Sequence, residues 1–243
     1  SRTPVHLFDQ VRQFARTYDQ VHQPVLCETP DAVWKPVWCS WYGIKNDVTA
    51  EYVLDNAPHL QEMGFGSVIV DAGWWVDGHV DEATGHYKAN EKFPDMPGMA
   101  ARLNERDLRV LLWCAPLFHL DAIRENPFIS KHMLKSVRPG VPGFLCPRCQ
   151  PVHDYVRRMV EHIIRENGVD GLKIDFIDAG AADLSYACTA DHEHDYPTYG
   201  QAMEALLRTI HEAAKGVRSD ASSYRRQPSA QMSDDSLYLE CCI

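Results

Sequence analysis

The sequence contains no apolar run near the roughly 20 residues that a membrane-spanning helix needs. No membrane partner is therefore expected. An excess of cations is also missing: 24 Lys and Arg stand against 34 Asp and Glu, giving a formal net charge of -10. That balance argues against a broad nucleic-acid interface, which needs cations to displace phosphate counterions, and leaves small neutral substrates open. No Gly-rich phosphate loop follows the first predicted strand, so dinucleotide binding loses support. The CxxC of CPRC, 146 to 149, lacks the second pair that a structural zinc site would want. Eight cysteines are scattered along the chain, several inside apolar runs where a free thiol packs as a small hydrophobe. We read them as reduced, with no metal and no cofactor expected. The first residue is Ser1 rather than Met, so the natural start is read as trimmed, and a cytoplasmic location is the expectation.

What is present is an ordinary globular composition, 45% hydrophobic and 24% charged, over 243 residues. One sizeable domain suits that length. Residues 1–32 read as a polar lead-in, helical around FDQVRQFARTYDQV. Strand-like and helix-like segments then alternate. VWKPVWCSWY (33–42), SVIVDAGWW (67–75), RVLLWCAP (109–116) and GLKIDFID (171–178) are predicted strands. Between them lie predicted helices at 49–64, 99–107 and 152–168, with another at 199–216. In the helix at 152–168 the apolar positions 152, 155, 156, 159, 160, 163 and 164 share one face, and Gly168 marks its end.

Near-continuous apolar strands separated by helices indicate an α/β fold with a covered parallel sheet. Chemistry in a (β/α)₈ TIM barrel gathers at the C-terminal ends of the strands, and the unusual residues here sit at such ends. They are Trp41 and Tyr42, Asp71 with Trp74 and Trp75, Trp113, and then Lys173, Asp175 and Asp178. Aromatic faces with carboxylates and an ammonium suit a sugar, whose C–H face stacks on rings while its hydroxyls seek polar partners. The plainer alternatives are rim packing for the rings and a salt bridge to a neighbouring cation for Asp175.

The segments WCSWYG, IVDAGWW, VLLWCAP, FLCPRCQPVHDYV and DGLKIDFID occur in that order and spacing. In them the chain resembles the catalytic barrel of the melibiase-type α-galactosidases of glycoside hydrolase family 36, over about residues 34–218. That resemblance implies a retaining α-glycosidase acting on an α-linked oligosaccharide or glycoside, with no metal. It casts Asp175 as the nucleophile and Lys173 as a contact to hydroxyls. Asp71 would hold hydroxyls at the far edge of the ring, and Trp41, Trp74 and Trp113 would line the pocket. Arg148 and Asp178 are the remaining candidate substrate contacts. The nucleophile must stay ionised, which a nearby ammonium and a wet pocket favour.

Three departures from the family pattern shape the expectation. The chain has Asp71-Ala72-Gly73-Trp74 where many members have Asp-Asp-Gly-Trp, and Leu145-Cys146-Pro147-Arg148 where the family has Leu-Asp-Pro-Arg. After residue 218 the likeness fades, so only the first four to five βα units of the barrel are recognisable, and 219–243 reads as a divergent tail. Asp234 and Asp235 are the late carboxylates in a segment reminiscent of an acid/base. The chain by itself is expected to be weak or inactive. A non-catalytic carbohydrate-binding or vestigial barrel fragment is the alternative, and a homo-oligomer would complete an open sheet. The loop CTADHEHD, 188–195, carries Cys and His but reads as pocket-shaping, as does the polar segment 76–98.

Overall fold

The computed structural model describes residues 7–22, 31–76, 87–119, 127–134, 143–177, 193–220 and 238–241. Strands are β1 (Val37–Cys39), β2 (Ser67–Val70), β3 (Arg109–Cys114), β4 (Phe118–His119), β5 (Gly143–Phe144), β6 (Gly171–Ile174) and β7 (Tyr238–Cys241). Helices are α1 (Leu7–His22), α2 (Ala50–Glu62), α3 (Met96–Asn104), α4 (Pro127–His132), α5 (Gln150–Asn167) and α6 (Tyr199–Asp220). Five strands form one sheet in the order β1-β2-β3-β6-β7, each pair parallel. β4 and β5 pair antiparallel beyond the end of β3.

The helix boundaries follow from local chemistry. Thr49 is extended, and its hydroxyl accepts from the Tyr52 amide at 3.1 Å, satisfying one of the donors that the first turn of α2 leaves open. Asp95 does the same for α3 through the Gly98 amide at 2.9 Å. Gly168 ends α5 at φ 61°, a left-handed residue where glycine carries no Cβ penalty. All seven apolar positions expected on one face of α5 are buried.

Alternation along the strands separates two layers. Val68 and Val70 of β2, Val110 and Leu112 of β3, and Leu172 and Ile174 of β6 join one core cluster with residues of α2, α3, α5 and α6. Ile69 and Leu111 point the other way, into a small cluster with Val33, Val37 and Cys39. The helices that connect the strands thus pack on one face, and the strand order never reverses. A doubly wound sheet would place helices on both faces about a switch point. The observed layering is that of a singly wound α/β sheet, the arrangement from which (β/α)₈ barrels are built.

Three expectations are corrected. The segment 33–42 yields only a three-residue strand, between 3-10 turns at Asp31–Trp34 and Ser40–Tyr42. Pro36 supplies a carbonyl to Gly66 but has no amide to extend the ladder toward β2. GLKIDFID is a strand only to Ile174, because Phe176 turns the backbone to φ 52°. Within the segment read as a divergent tail, 238–241 adds a strand that was not predicted, beside β6 and in register from Gly171↔Tyr238 to Ile174↔Cys241. At the opposite ends of β3 and β6, the buried Asp170 carboxylate accepts from the Val110 amide at 2.9 Å and lies 3.5 Å from Arg109. No described helix is long and apolar enough to cross a membrane.

Candidate functional site

Residues 71, 113, 173 and 175 follow or end three neighbouring parallel strands, so the sheet delivers their side chains to one end of the molecule. Asp71 comes immediately after β2 and is 2% exposed. Lys173 lies on β6, two strands away, about 9.6 Å by two strand spacings. Its long side chain reaches across β3 on the face away from the helices, and Nζ meets Asp71 Oδ2 at 2.6 Å. A charge pair this buried persists only where its remaining lone pairs and protons are met. The Ala72 amide donates to Asp71 Oδ1 at 2.8 Å, and the Cys39 thiol donates to Oδ2 at 3.3 Å. Ser40 Oγ accepts from the Asp71 amide at 2.9 Å. Burial, aided by the Asp71 charge, pushes the Cys39 thiol up to about 11, so it stays a neutral donor.

Asp175 follows β6 directly, its amide continuing the ladder to the Cys114 carbonyl at 2.9 Å. Oδ2 accepts from the indole Nε1 of Trp113 at 2.9 Å, and Oδ1 from the Phe176 amide at 2.8 Å. Two donors on different elements therefore orient this carboxylate. Phe176 holds a left-handed conformation that costs a bulky residue on the order of 1 kcal/mol. Trp113 is itself fixed, with Trp75 stacked flat on it at 5.0 Å and 8°.

The structure sorts the other expected residues. Trp74 is fully buried and its indole donates to the Trp113 carbonyl at 3.0 Å, so it braces the site from behind instead of lining it. Trp75 takes the front. Even positions 68 and 70 face the helices, and Trp74 falls on that same side while Trp75 falls with Asp71; between them Gly73 has φ 107°. A Cβ there would lie 2.6 Å from the Asn46 carbonyl oxygen, so the close approach needs glycine. Asp71 and Lys173, expected as separate hydroxyl contacts, are bound to each other. Lys173 is ion-paired with Asp71. Trp41 is exposed on the 3-10 turn after β1. Arg148 is occupied elsewhere: Nε donates to the Tyr196 carbonyl and Nη2 to the Pro197 carbonyl, both at 2.8 Å. Its guanidinium fastens the segment before α6 to the start of α5. Asp178, Asp234, Asp235 and most of the 188–195 loop lie outside the described residues.

Several participants escaped the sequence reading. Cys39 and Ser40 look like core residues within WCSWY, and Tyr87 sat in a segment read as a polar loop. Instead Tyr87 is buried, its hydroxyl accepts from the Ala115 amide at 2.6 Å, and its ring stacks on Trp74 at 5.8 Å. Burial holds its phenol well above the ordinary range. Cys146 and Cys149 are buried, with Cys149 at the N-cap of α5. Among the described residues no group of three or more His, Cys, Asp or Glu is arranged to hold a metal.

No family model matches the chain, and no curated protein does. Solved structures do. The α-galactosidase of Thermus thermophilus, in complex with stachyose, superposes with a TM-score of 0.57 at 22% identity, covering 88% of this chain and 41% of that one. The galactosidase domain of the α-galactosidase-sucrose kinase AgaSK gives 0.55 at 17% identity, covering 89% and 28%. A family 36 α-galactosidase of Geobacillus stearothermophilus with stachyose gives 0.53 at 17% identity, covering 93% and 30%. The chain thus shares a fold with these enzymes and spans less than half of their length.

Proposed function

We propose that the chain carries the sugar site of a retaining α-glycosidase of galactosidase type, with Asp175 as the nucleophile. The observation that carries this reading is the Asp175 carboxylate, held by Trp113 Nε1 and the Phe176 amide at the C-terminal end of a parallel strand. The fold shared with enzymes solved with stachyose and with an aryl α-galactoside supports an α-linked glycoside as ligand. In a retaining mechanism Asp175 attacks the anomeric carbon, forming a glycosyl ester as the bond to the leaving oxygen breaks, and water later cleaves that ester. A second carboxyl must protonate the leaving oxygen and lie roughly 5 Å from the first. Asp71 is unsuited to that task, because its Oδ2 is ion-paired with Lys173. Its role here is to hold Lys173 and the ends of β2 and β6 in place.

The test separates the nucleophile from the proton donor. Fluoride leaves with little protonic help, so α-galactosyl fluoride demands the nucleophile and scarcely the acid. Fluoride release by the 243-residue chain should exceed release of alcohol from methyl α-galactoside by a wide margin. Asp175→Asn should lower fluoride release by about 10³-fold or more. Near-normal release from that variant would overturn the assignment. The pairing of Asp71 with Lys173 favours one second reading, a sugar-binding site without turnover, which binding of galactosides with no fluoride release would support.

A further inference from the structure

We propose that Phe176 and Phe118 form an apolar shelf beside Asp175 that receives the leaving group of a glycoside through a flat apolar face. That face is an aromatic ring or the C–H face of a second pyranose. The proposal rests on the glycosidase reading and adds to it the subsite beyond the bond to be cleaved.

Phe176 stands next to Asp175 in the chain and shares a hydrogen bond with it, its amide donating to Oδ1. Strand alternation would point residue 176 toward the helices, as it does Leu172 and Ile174. The left-handed backbone at φ 52° turns it out instead, leaving it 40% exposed. At this exposure the ring forgoes part of the burial that a core position would give it, although its backbone is strained. The ring is not loose, however. It stacks on Phe118 at 4.8 Å and 20°, and Phe118 in turn contacts Phe144 of the β4–β5 pair at 5.6 Å. The edge of Phe176 meets Trp113 at 6.3 Å and 81°, and Trp113 donates to the other oxygen of Asp175. Asp175 is therefore flanked by two rings tied to its two oxygens, Trp113 nearly buried and Phe176 open. A strained, solvent-facing aromatic fixed next to a reactive carboxylate is placed to stack on a ligand, and stacking needs a flat apolar partner.

The experiment uses the full chain carrying Asp175→Asn, which cannot consume its ligand, and isothermal titration with methyl α-galactoside, p-nitrophenyl α-galactoside and melibiose. The shelf predicts that the nitrophenyl glycoside, melibiose or both bind about tenfold more tightly than the methyl glycoside. Which of them does so identifies the source of the flat face. Adding Phe176→Ala should bring the ratio to within about twofold, and Phe118→Ala should lower it by a smaller factor. Phe176→Gly guards against a folding artefact, since glycine is unstrained at this φ; it should lose the ratio while keeping a cooperative melt. A ratio near one in the parent, or one unmoved by Phe176→Ala, overturns the shelf alone. Absence of binding by the methyl glycoside as well overturns the glycosidase reading and the shelf with it.

Discussion

Lys173 and Asp71 are each nearly inaccessible, with side chains 8% and 3% exposed. Removing one member leaves the other as a buried uncompensated charge, which costs about 3 to 5 kcal/mol. Lys173→Met should therefore lower the urea-unfolding free energy by about that amount. The double variant with Asp71→Leu should recover a large part of it, and additive losses in such a cycle would show that the pair is not coupled. At this scale the sequence disclosed which residues carry charge at the strand ends, because Asp and Lys are conspicuous inside apolar runs. It did not disclose their partners. Pairing across two strands depends on how far a side chain reaches over the intervening one, and no local pattern encodes that.

Among the elements, the turn after β2 and the start of α5 make opposite demands. Gly73→Ala would force a Cβ against the Asn46 backbone at a φ that alanine disfavours, so a loss of about 2 kcal/mol or more is expected by chemical denaturation. In α5, His153 is buried, stacks on Tyr196 at 4.7 Å, and places Nε2 2.6 Å from the Pro147 carbonyl. Nε2 therefore carries the proton, and Nδ1 has no hydrogen-bond partner among the described residues. Burial lowers the affinity of this imidazole for a second proton, although the hydrogen bond to the Pro147 carbonyl and the charges of Asp154 and Asp195 oppose the shift. The sign follows: below the ordinary value of 6.5 the unfolded chain takes up a proton that the folded chain resists. The contribution of His153 is thus intact above pH 6.5 and is lost as the pH falls toward the lower folded value. Thermal melts from pH 7 to pH 5 should decline less steeply for His153→Phe, and an unchanged decline would remove His153 as a cause. Long amphipathic helices such as α5 were legible because their apolar period runs for several turns. β1 was not, since three residues carry no period and the aromatic content of 33–42 serves turns as well as strand.

For the whole molecule, the four parallel strands β1, β2, β3 and β6 and the helices between them could be anticipated, but the placing of those helices on one face and β7 could not. Four residues in a Ser-rich stretch give no usable pattern; what recruits them is the edge of β6, whose main-chain groups otherwise face solvent. Truncation after residue 220 would return that edge to solvent directly beneath Asp175. Loss of about 2 to 4 kcal/mol is expected from the four-residue ladder. Hydrogen exchange should report it first at the amides of residues 171–174, and protection unchanged by truncation would exclude the pairing.

The ion pair that bridges β3 has a consequence for how such a chain can vary over time. Asp71 and Lys173 are 102 positions apart. Replacing Lys173 alone strands the buried Asp71 carboxylate, whereas exchanging both for apolar residues of similar volume can be nearly neutral. Variants at the two positions are therefore separated by an intermediate less stable than either end. The pair behaves as one heritable character written in two distant places, and a change at either is expected to persist only in a lineage that acquires the other.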